Sequence, residues 1–230
     1  MDKCQSTQLV GRFFSGTGET YDFISNATTL GFDRWWKRKI LNKIPKGSLR
    51  ILDQACGTGI LTFKIARRFP LSQVVGVDMT EEYLDIARSK ARRLTLRNVT
   101  FLSGRAEEVF AGETFDCITS SYLAKYAELG ALIENIQKML RIGGALIMHD
   151  FTYPSDRTVA RLLECYLALL KKAGTRWYPE WRNIFCGLPE LLRETKWVRE
   201  LIDLLQTTGF SETRVESLTL GTSAIVTALR

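Results

Sequence analysis

The stretch Leu49-Arg50-Ile51-Leu52-Asp53-Gln54-Ala55-Cys56-Gly57-Thr58-Gly59 decides the fold. A short apolar run ends in a carboxylate, bends through small residues and enters a helical pattern at Ile60. Glycines at 57 and 59 let backbone approach a ligand with no side chain in the way. The helix that starts there points free amide groups at whatever occupies the bend. One strand later, Val74-Val75-Gly76-Val77-Asp78 ends in a second carboxylate. An acid at that place can take both hydroxyls of a ribose, and Asp53 can accept from an ammonium group. An ordinary strand-to-helix turn would explain the glycines alone, but not the paired acid-ended strands. A dinucleotide site would want a third glycine where Thr62 stands, which argues against a pyrophosphate.

Around this stretch the apolar pattern switches between strand and helix periods. Strands are predicted at 51–53, 73–78, 99–102, 115–119 and 145–151, with helices at 60–69, 80–94 and 129–140 between them. The last of these helices is expected to close at Arg141-Ile142-Gly143-Gly144, where glycine suits a left-handed cap. Thr80 is expected to cap the helix that follows Asp78. A helix at 198–207 precedes two closing strands at 210–218 and 223–229, whose link Thr219-Leu220-Gly221-Thr222 fits a hairpin turn only loosely. Such alternation predicts an α/β fold: a mainly parallel seven-stranded sheet with helices on both faces and a C-terminal antiparallel hairpin. Residues 19–44 break the rhythm with an aromatic, amphipathic pattern that stops at Pro45-Lys46-Gly47. Residues 155–193 break it again, with a long helical pattern, then Trp177, Tyr178, Trp181 and Phe185, then a leucine-rich helix from Pro189. We expect one domain over 1–230, made of a helical cover (1–46), a cofactor-binding core (47–151), an aromatic substrate-cap insertion (152–197) and a closing helix and strands (198–230).

The 230 residues are enough for a full hydrophobic core. No apolar stretch approaches the length that crosses a bilayer. The start Met1-Asp2-Lys3-Cys4 lacks a basic-then-apolar export signal, so a cytoplasmic location is expected. Cysteines at 4, 56, 117, 165 and 186 form no Cys-x-x-Cys pair; free thiols are expected, with neither a disulfide framework nor a metal site. The formal net charge is +7, which bears on partners rather than on fold. Arg34, Lys37, Arg38, Lys39, Lys43, Lys46 and Arg50 crowd the front of the chain. That suits anionic lipid head groups, a nucleic-acid face or a plain solvated helix.

Ligands of an open α/β sheet bind outside the carboxyl ends of the strands, and this names the remaining candidates. Met79 can cover a face of adenine or simply pack. The turn Leu102-Ser103-Gly104-Arg105-Ala106-Glu107 can offer backbone amides at Arg105 and Ala106 to an adenine edge. Ser120 and Ser121 close the fourth strand. His149 and Asp150 end the fifth, where an acceptor should approach, and Lys125 lies beyond the fourth. Asp150 and His149 are candidate bases and Lys125 could steady a phenolate. Neighbours on a strand point to opposite faces, so His149 and Asp150 are not expected to share a pocket.

These residues resemble those of class I S-adenosylmethionine-dependent methyltransferases, and more narrowly the ubiquinone/menaquinone biosynthesis (UbiE-type) methyltransferases. The narrower likeness is carried by Tyr21-Asp22-Phe23, by Leu30-Gly31-Phe32-Asp33-Arg34-Trp35-Trp36-Lys37-Arg38 and by Phe115-Asp116-Cys117-Ile118-Thr119. Gly209-Phe210 and Leu218-Thr219-Leu220-Gly221 add to it. It covers nearly the whole chain and thins between 155 and 197. The resemblance implies a Rossmann-like fold, S-adenosyl-L-methionine as cofactor and C-methylation of a prenylated quinol precursor. It puts Thr58, Asp78, Arg105, Ala106 and Ser121 at cofactor-contact positions, and Tyr21, Asp53, Ala55, Gly57, Gly59 and Met79 complete the expected cofactor set. The family usually has a small polar residue where Arg105 stands, which points to a backbone role there.

Two departures bear on the acceptor. The family often follows the fourth strand with Phe-Gly-Leu-Arg-Asn, where this chain reads Tyr122-Leu123-Ala124-Lys125-Tyr126, and lysine lacks arginine's planar fork. The family tends to carry Glu-Phe-Ser-x-Pro after the fifth strand, where Asp150-Phe151-Thr152-Tyr153-Pro154 keeps a carboxylate one carbon shorter. Other readings stay open: an O- or C-methyltransferase of another small metabolite with His149 as base, an RNA or protein methyltransferase, or a silent cofactor-binding subunit. Nucleic acid is not expected, because the fourth strand lacks an Asn/Asp-Pro-Pro-aromatic run. The expected partner is an aromatic or prenylated quinol acceptor; a homodimer and peripheral contact with the inner face of an anionic membrane stay open. Trp177, Tyr178 and Trp181 with Arg176 and Arg182 would suit such a membrane interface.

Overall fold

The computed structural model describes residues 3–109 and 112–230; Met1 and Asp2, read above for an export signal, lie outside them. Its centre is β1 (Arg50–Gln54), whose residues after Arg50 are all buried because helices cover both sides of the sheet. On one side β1 pairs in parallel with β2 (Gln73–Asp78), and β2 with β3 (Val99–Ser103). On the other it pairs in parallel with β4 (Phe115–Ser121), and β4 with β5 (Leu140–Phe151). β7 (Ser223–Leu229) runs antiparallel to β5, and β6 (Ser211–Leu218) antiparallel to β7. The sheet of the described residues therefore has seven strands in the order β3-β2-β1-β4-β5-β7-β6; seven mainly parallel strands ending in an antiparallel hairpin are what the alternating pattern and the closing strands predict.

Helices α6 (Leu129–Met139) and α9 (Trp197–Thr207) cover one face, where Leu132, Ile136, Leu201 and Leu205 pack on Ile118 and Leu146. Helices α3 (Phe32–Lys43) and α4 (Ile60–Arg68) cover the other, where Trp36, Ile40 and Ile65 pack on Ile51 and Ile147. Helix α5 (Glu81–Arg93) joins α4 through Phe63, Ala87 and Ala91. A third cluster stands apart from both sheet cores. It is built by α1 (Lys3–Phe14), α2 (Tyr21–Thr28), α7 (Arg157–Trp177) and α8 (Arg182–Glu194), and it centres on Phe13, Ile24, Tyr126, Trp181, Ile184 and Phe185. Asp156 starts α7 by accepting from the amides of Thr158 and Val159.

Several boundaries differ from the sequence expectation. Helix α6 stops at Met139, and residues 141–144 belong to β5 rather than to a helix cap. Gly143 is left-handed (φ 74°), but it serves a shift of register between β4 and β5. The chain end supplies the pairing that keeps this stretch extended: the Gly143 amide donates to the Arg230 carbonyl (2.7 Å) and the Arg230 amide to the Gly144 carbonyl (3.0 Å). Thr80 sits at the start of α5 without a side-chain cap; Asp78 Oδ1 accepts the Thr80 amide instead (2.9 Å). Helix α8 begins at Arg182 and carries Pro189 inside it. The link between β6 and β7 is a tight turn in which Thr219 and Leu220 are both left-handed (φ 47° and 57°). Helix α1 lay outside the amphipathic stretch read from the sequence.

Candidate active site

The carboxyl ends of β1, β2 and β4 meet at one cavity, lined by Ala55, Gly57, Asp78, Met79, Arg105, Ala106, Ser121 and Tyr21 among the expected residues. The glycine bend is fixed by close packing. Gly59 is left-handed (φ 88°), and a Cβ there would lie 2.5 Å from the Phe63 ring. Asp78 sits 8% exposed at the cavity, accepting the amide of Gly57 on Oδ2 (2.8 Å) and that of Thr80 on Oδ1 (2.9 Å). Burial raises its pKa, and those backbone donors pull it back. Its remaining lone pairs suit a vicinal diol.

Three expected residues stand back from the cavity. Asp53 is buried beneath the bend, accepting from Thr62 Oγ1 (2.6 Å) and Thr119 Oγ1 (3.2 Å). Burial raises its pKa to about 6, against those two hydroxyls. Thr58 donates its hydroxyl to Asp22 Oδ1 (2.5 Å). Gly59 shapes the turn without lining the space.

The turn after β3 is held from behind by a residue that sequence reasoning missed. Asn135 on α6 donates to the carbonyls of Ala106 (2.8 Å) and Val109 (2.9 Å), which fixes the backbone offered to the cavity. The Arg105 guanidinium folds back on Glu107 (3.0 Å) and Glu108 (3.3 Å), so its charge is spent within the turn.

The front of the chain closes over this cavity. Glu82 on α5 accepts the amides of Gly16 (3.1 Å) and Gly18 (3.0 Å). A Cβ at Gly18 would lie 2.6 Å from that carboxylate and 2.7 Å from Ile86 Cδ1, so a larger residue there would push both side-chain ends aside. Thr17 pairs with the Tyr83 hydroxyl (2.5 Å), and Lys90 reaches Asp22 (2.6 Å). These latches join segments far apart in sequence, and no local motif announces them.

A second cavity of about 320 Å³ lies beyond, between α2, α3, α7 and α8. Ile24, Trp36, Leu163, Leu167, Trp181 and Phe185 contribute to its apolar lining, so the aromatic segment partly faces it, while Trp177 is 71% exposed. Phe14, Tyr21, Tyr122 and Tyr126 line both cavities and form the wall between them. Lys125 lines the apolar cavity, its ammonium 4.3 Å from the Tyr126 ring centroid and 5.3 Å from that of Tyr122. It pairs with Asp150 Oδ1 (2.6 Å), and the two side chains are 2% and 0% exposed. Burial lowers the Lys125 pKa, and Asp150 opposes the shift. Asp150 also accepts the amides of Lys125 on Oδ2 (3.1 Å) and Phe151 on Oδ1 (2.7 Å), so three donors converge on it.

His149 lines neither cavity. Its Nδ1 pairs with Ser121 Oγ (3.0 Å) and its Nε2 with Ser223 Oγ (2.8 Å). Burial, with help from Lys37 and Lys125, drives its pKa well below the ordinary range, so the ring is neutral. Lys37 is not part of a solvated basic face: it is 3% exposed and paired with Asp33, which also accepts from the Tyr122 hydroxyl (2.7 Å). Tyr122 holds a left-handed backbone (φ 71°), a strained state for a residue with a side chain.

The whole chain, residues 1–230, matches the ubiE/COQ5 methyltransferase family. It is 27% identical over 233 residues to the demethylmenaquinone methyltransferase of Porphyromonas gingivalis, covering 99% of this chain and 95% of that one. It is 27% identical over 230 residues to the ubiquinone/menaquinone biosynthesis C-methyltransferase UbiE of Haemophilus ducreyi, covering 97% and 88%. Among solved structures, its fold is similar to that of the plantazolicin methyltransferase BpumL in complex with SAH (TM-score 0.67, 12% identity, 99% and 95% covered). It is also similar to that of the geranyl diphosphate C-methyltransferase of Streptomyces coelicolor A3(2) (TM-score 0.63, 13% identity, 86% and 79% covered).

Proposed function

Because the chain belongs to the ubiE/COQ5 methyltransferase family, and is thus an S-adenosylmethionine-dependent methyltransferase, we propose that it methylates a ring carbon of a prenylated quinol. The observation that carries this reading is the apolar cavity of about 320 Å³ that meets the crevice beside Asp78 at a wall of four aromatic rings. An aromatic head group with an isoprenoid tail needs such a channel.

The cofactor, when bound, supplies a methyl group already activated on a sulfonium. The residues lining the first cavity fit it: a buried carboxylate for the ribose, an amide-bearing turn for adenine and Tyr21 over the bend. At the junction, Phe14, Tyr21, Tyr122 and Tyr126 exclude water, and their rings favour a cationic guest. Lys125 is the cation of the acceptor side. It would hold an acceptor oxygen as a phenolate, which makes the neighbouring ring carbon a better nucleophile. Asp150 keeps that ammonium charged and aimed, and its ion pair with Lys125 and the two backbone amides it accepts suit positioning better than proton removal. His149 supports Ser121 from below, so an O-methylation scheme with His149 as base gains nothing from this geometry.

A prenylated acceptor resides in a bilayer, which makes the protein a peripheral visitor at a membrane surface. No described helix is long and apolar enough to cross a membrane. The deciding experiment is mass spectrometry of quinones from cells lacking the protein. The reading expects an accumulated precursor one methyl group lighter; an unchanged quinone profile would sink it.

A further inference from the structure

Of the four rings in the wall between the cavities, Tyr122 alone has a left-handed backbone (φ 71°). It follows the last residue of β4, and its amide donates to the His149 carbonyl (2.9 Å), which carries the pairing with β5 one step past the strand. Its ring lies against Phe151 (centroids 4.9 Å apart, planes 16° apart) and edge-on to His149 (5.2 Å). Its hydroxyl donates to Asp33 Oδ1 on α3 (2.7 Å). Burial, reinforced by the Asp33 carboxylate, raises the Tyr122 pKa, so the proton stays on the phenol.

Asp33 is itself set firmly. Its amide donates to Thr29 Oγ1 (3.3 Å), and its carboxylate is paired with Lys37 one turn further along α3. Asp33 and Lys37 are 2% and 3% exposed, yet neither lines a cavity. The Lys37 ammonium lies 4.8 Å from the centroid of the Tyr122 ring. A buried ion pair is a poor source of stability, because desolvation offsets the attraction, and apolar residues of similar volume often do as well or better. Apolar residues could not accept the Tyr122 hydroxyl. The pair therefore gives the ring a third point of fixation, at its tip, besides the backbone pairing and the stacked face.

We propose that Asp33, braced by Lys37, is a positioning residue for the methyl transfer: it takes the Tyr122 hydroxyl and fixes the angle of a ring that faces both donor and acceptor. Transfer needs the reacting atoms in line and about 3–3.5 Å apart, so a small shift of this wall is expensive in rate. The proposal rests on the reading that a methyl group passes from the crevice beside Asp78 to the apolar cavity. It does not depend on which acceptor fills that cavity.

The test is transfer of label from methyl-tritiated S-adenosylmethionine into a total extract of cells lacking the protein, with donor saturating and extract varied. Tyr122→Phe is expected to lower the apparent kcat about tenfold and to leave the apparent KM almost unmoved. Asp33→Leu/Lys37→Met removes the pair without leaving a lone charge and is expected to lose the same factor. The triple variant should lose about tenfold as well, because all three side chains act through one hydrogen bond. Asp33→Asn/Lys37→Met keeps a neutral acceptor for the hydroxyl and should recover most of the rate. Calorimetric affinity for S-adenosylmethionine should be unchanged in every variant, which shows that they fold. A wild-type kcat in Tyr122→Phe would overturn the proposal. So would a loss of about a hundredfold in the triple variant, since the pair would then act apart from the hydroxyl. Failure of the asparagine variant to recover the rate would do the same. Label found on a compound other than a quinol would end the acceptor reading and leave the role of Asp33 to be judged on the same rates. A wild-type chain that transfers no label would overturn both.

Discussion

Replacing Asp150 by asparagine keeps the shape of the side chain and removes its charge. In the structure that charge faces an ammonium 2.6 Å away, with the two side chains 0% and 2% exposed. Lys125 would then keep only neutral acceptors, the new amide oxygen and the Tyr122 carbonyl at 3.3 Å, and the aromatic faces around it. Breaking a buried pair from one side costs about 3–5 kcal/mol, because the remaining charge is left uncompensated. For a chain of this size each kcal/mol lowers Tm by about 2–4 °C, so a fall of about 6–20 °C is expected. Lys125→Met should cost less, since Asp150 keeps the amides of Lys125 and Phe151 as donors. The double variant Lys125→Met/Asp150→Asn removes both charges and should be more stable than Asp150→Asn alone. Urea unfolding followed by fluorescence, with scanning calorimetry beside it, measures all three. If the double variant loses the sum of the two single losses, the pair is uncoupled and the assignment of Asp150 as the partner that aims Lys125 fails.

Asp78→Ala should weaken S-adenosylmethionine binding about 10–100-fold by calorimetry, the worth of a charge-assisted hydrogen bond; equal affinity in both proteins would remove the ribose role. Asp53 is protonated more readily in the folded chain, at about 6 against an ordinary 3.8. Its contribution to stability is therefore complete below about pH 3.8 and lost as pH rises through about 6, and the displacement corresponds to about 3 kcal/mol. Asp53→Asn should flatten that part of the stability profile; a variant that tracks wild type across this window refutes the shift. His149→Gln should keep the shape of the pH–rate profile, because the ring is already neutral; the loss of an inflection near pH 6–7 would make His149 a working base.

Legibility followed distance along the chain. Asp53, the glycine bend and Asp78 lie on consecutive strand ends, where apolar runs and small residues mark them directly, and the same alternation marks a mainly parallel seven-stranded sheet, though not the order of its strands. The sequence placed Asp53 at the ligand, but the structure gives its two oxygens to Thr62 and Thr119, which sit nine and sixty-six positions away. Asn135, Glu82 and Asp22 act on turns twenty-six to sixty-six residues distant, so no local pattern could name them. Lys37 read as one cation among many and turned out buried, because its partner Asp33 stands one helical turn before it. The end of α6 was misplaced because pairing with the chain terminus overrides the glycine signal at 143–144.

The latched front of the chain carries a kinetic consequence. With Glu82, Tyr83 and Thr58 fastened to residues 16–22, the donor-side space is only about 80 Å³, well under the roughly 300–1,000 Å³ of ordinary ligand pockets. A bulky nucleoside can enter only while those fastenings are undone. The same segment, through Phe14, Tyr21 and Ile24, also walls the acceptor channel, so that channel takes its final shape after the nucleoside has settled. Turnover should accordingly run in compulsory sequence, donor first and demethylated donor released last.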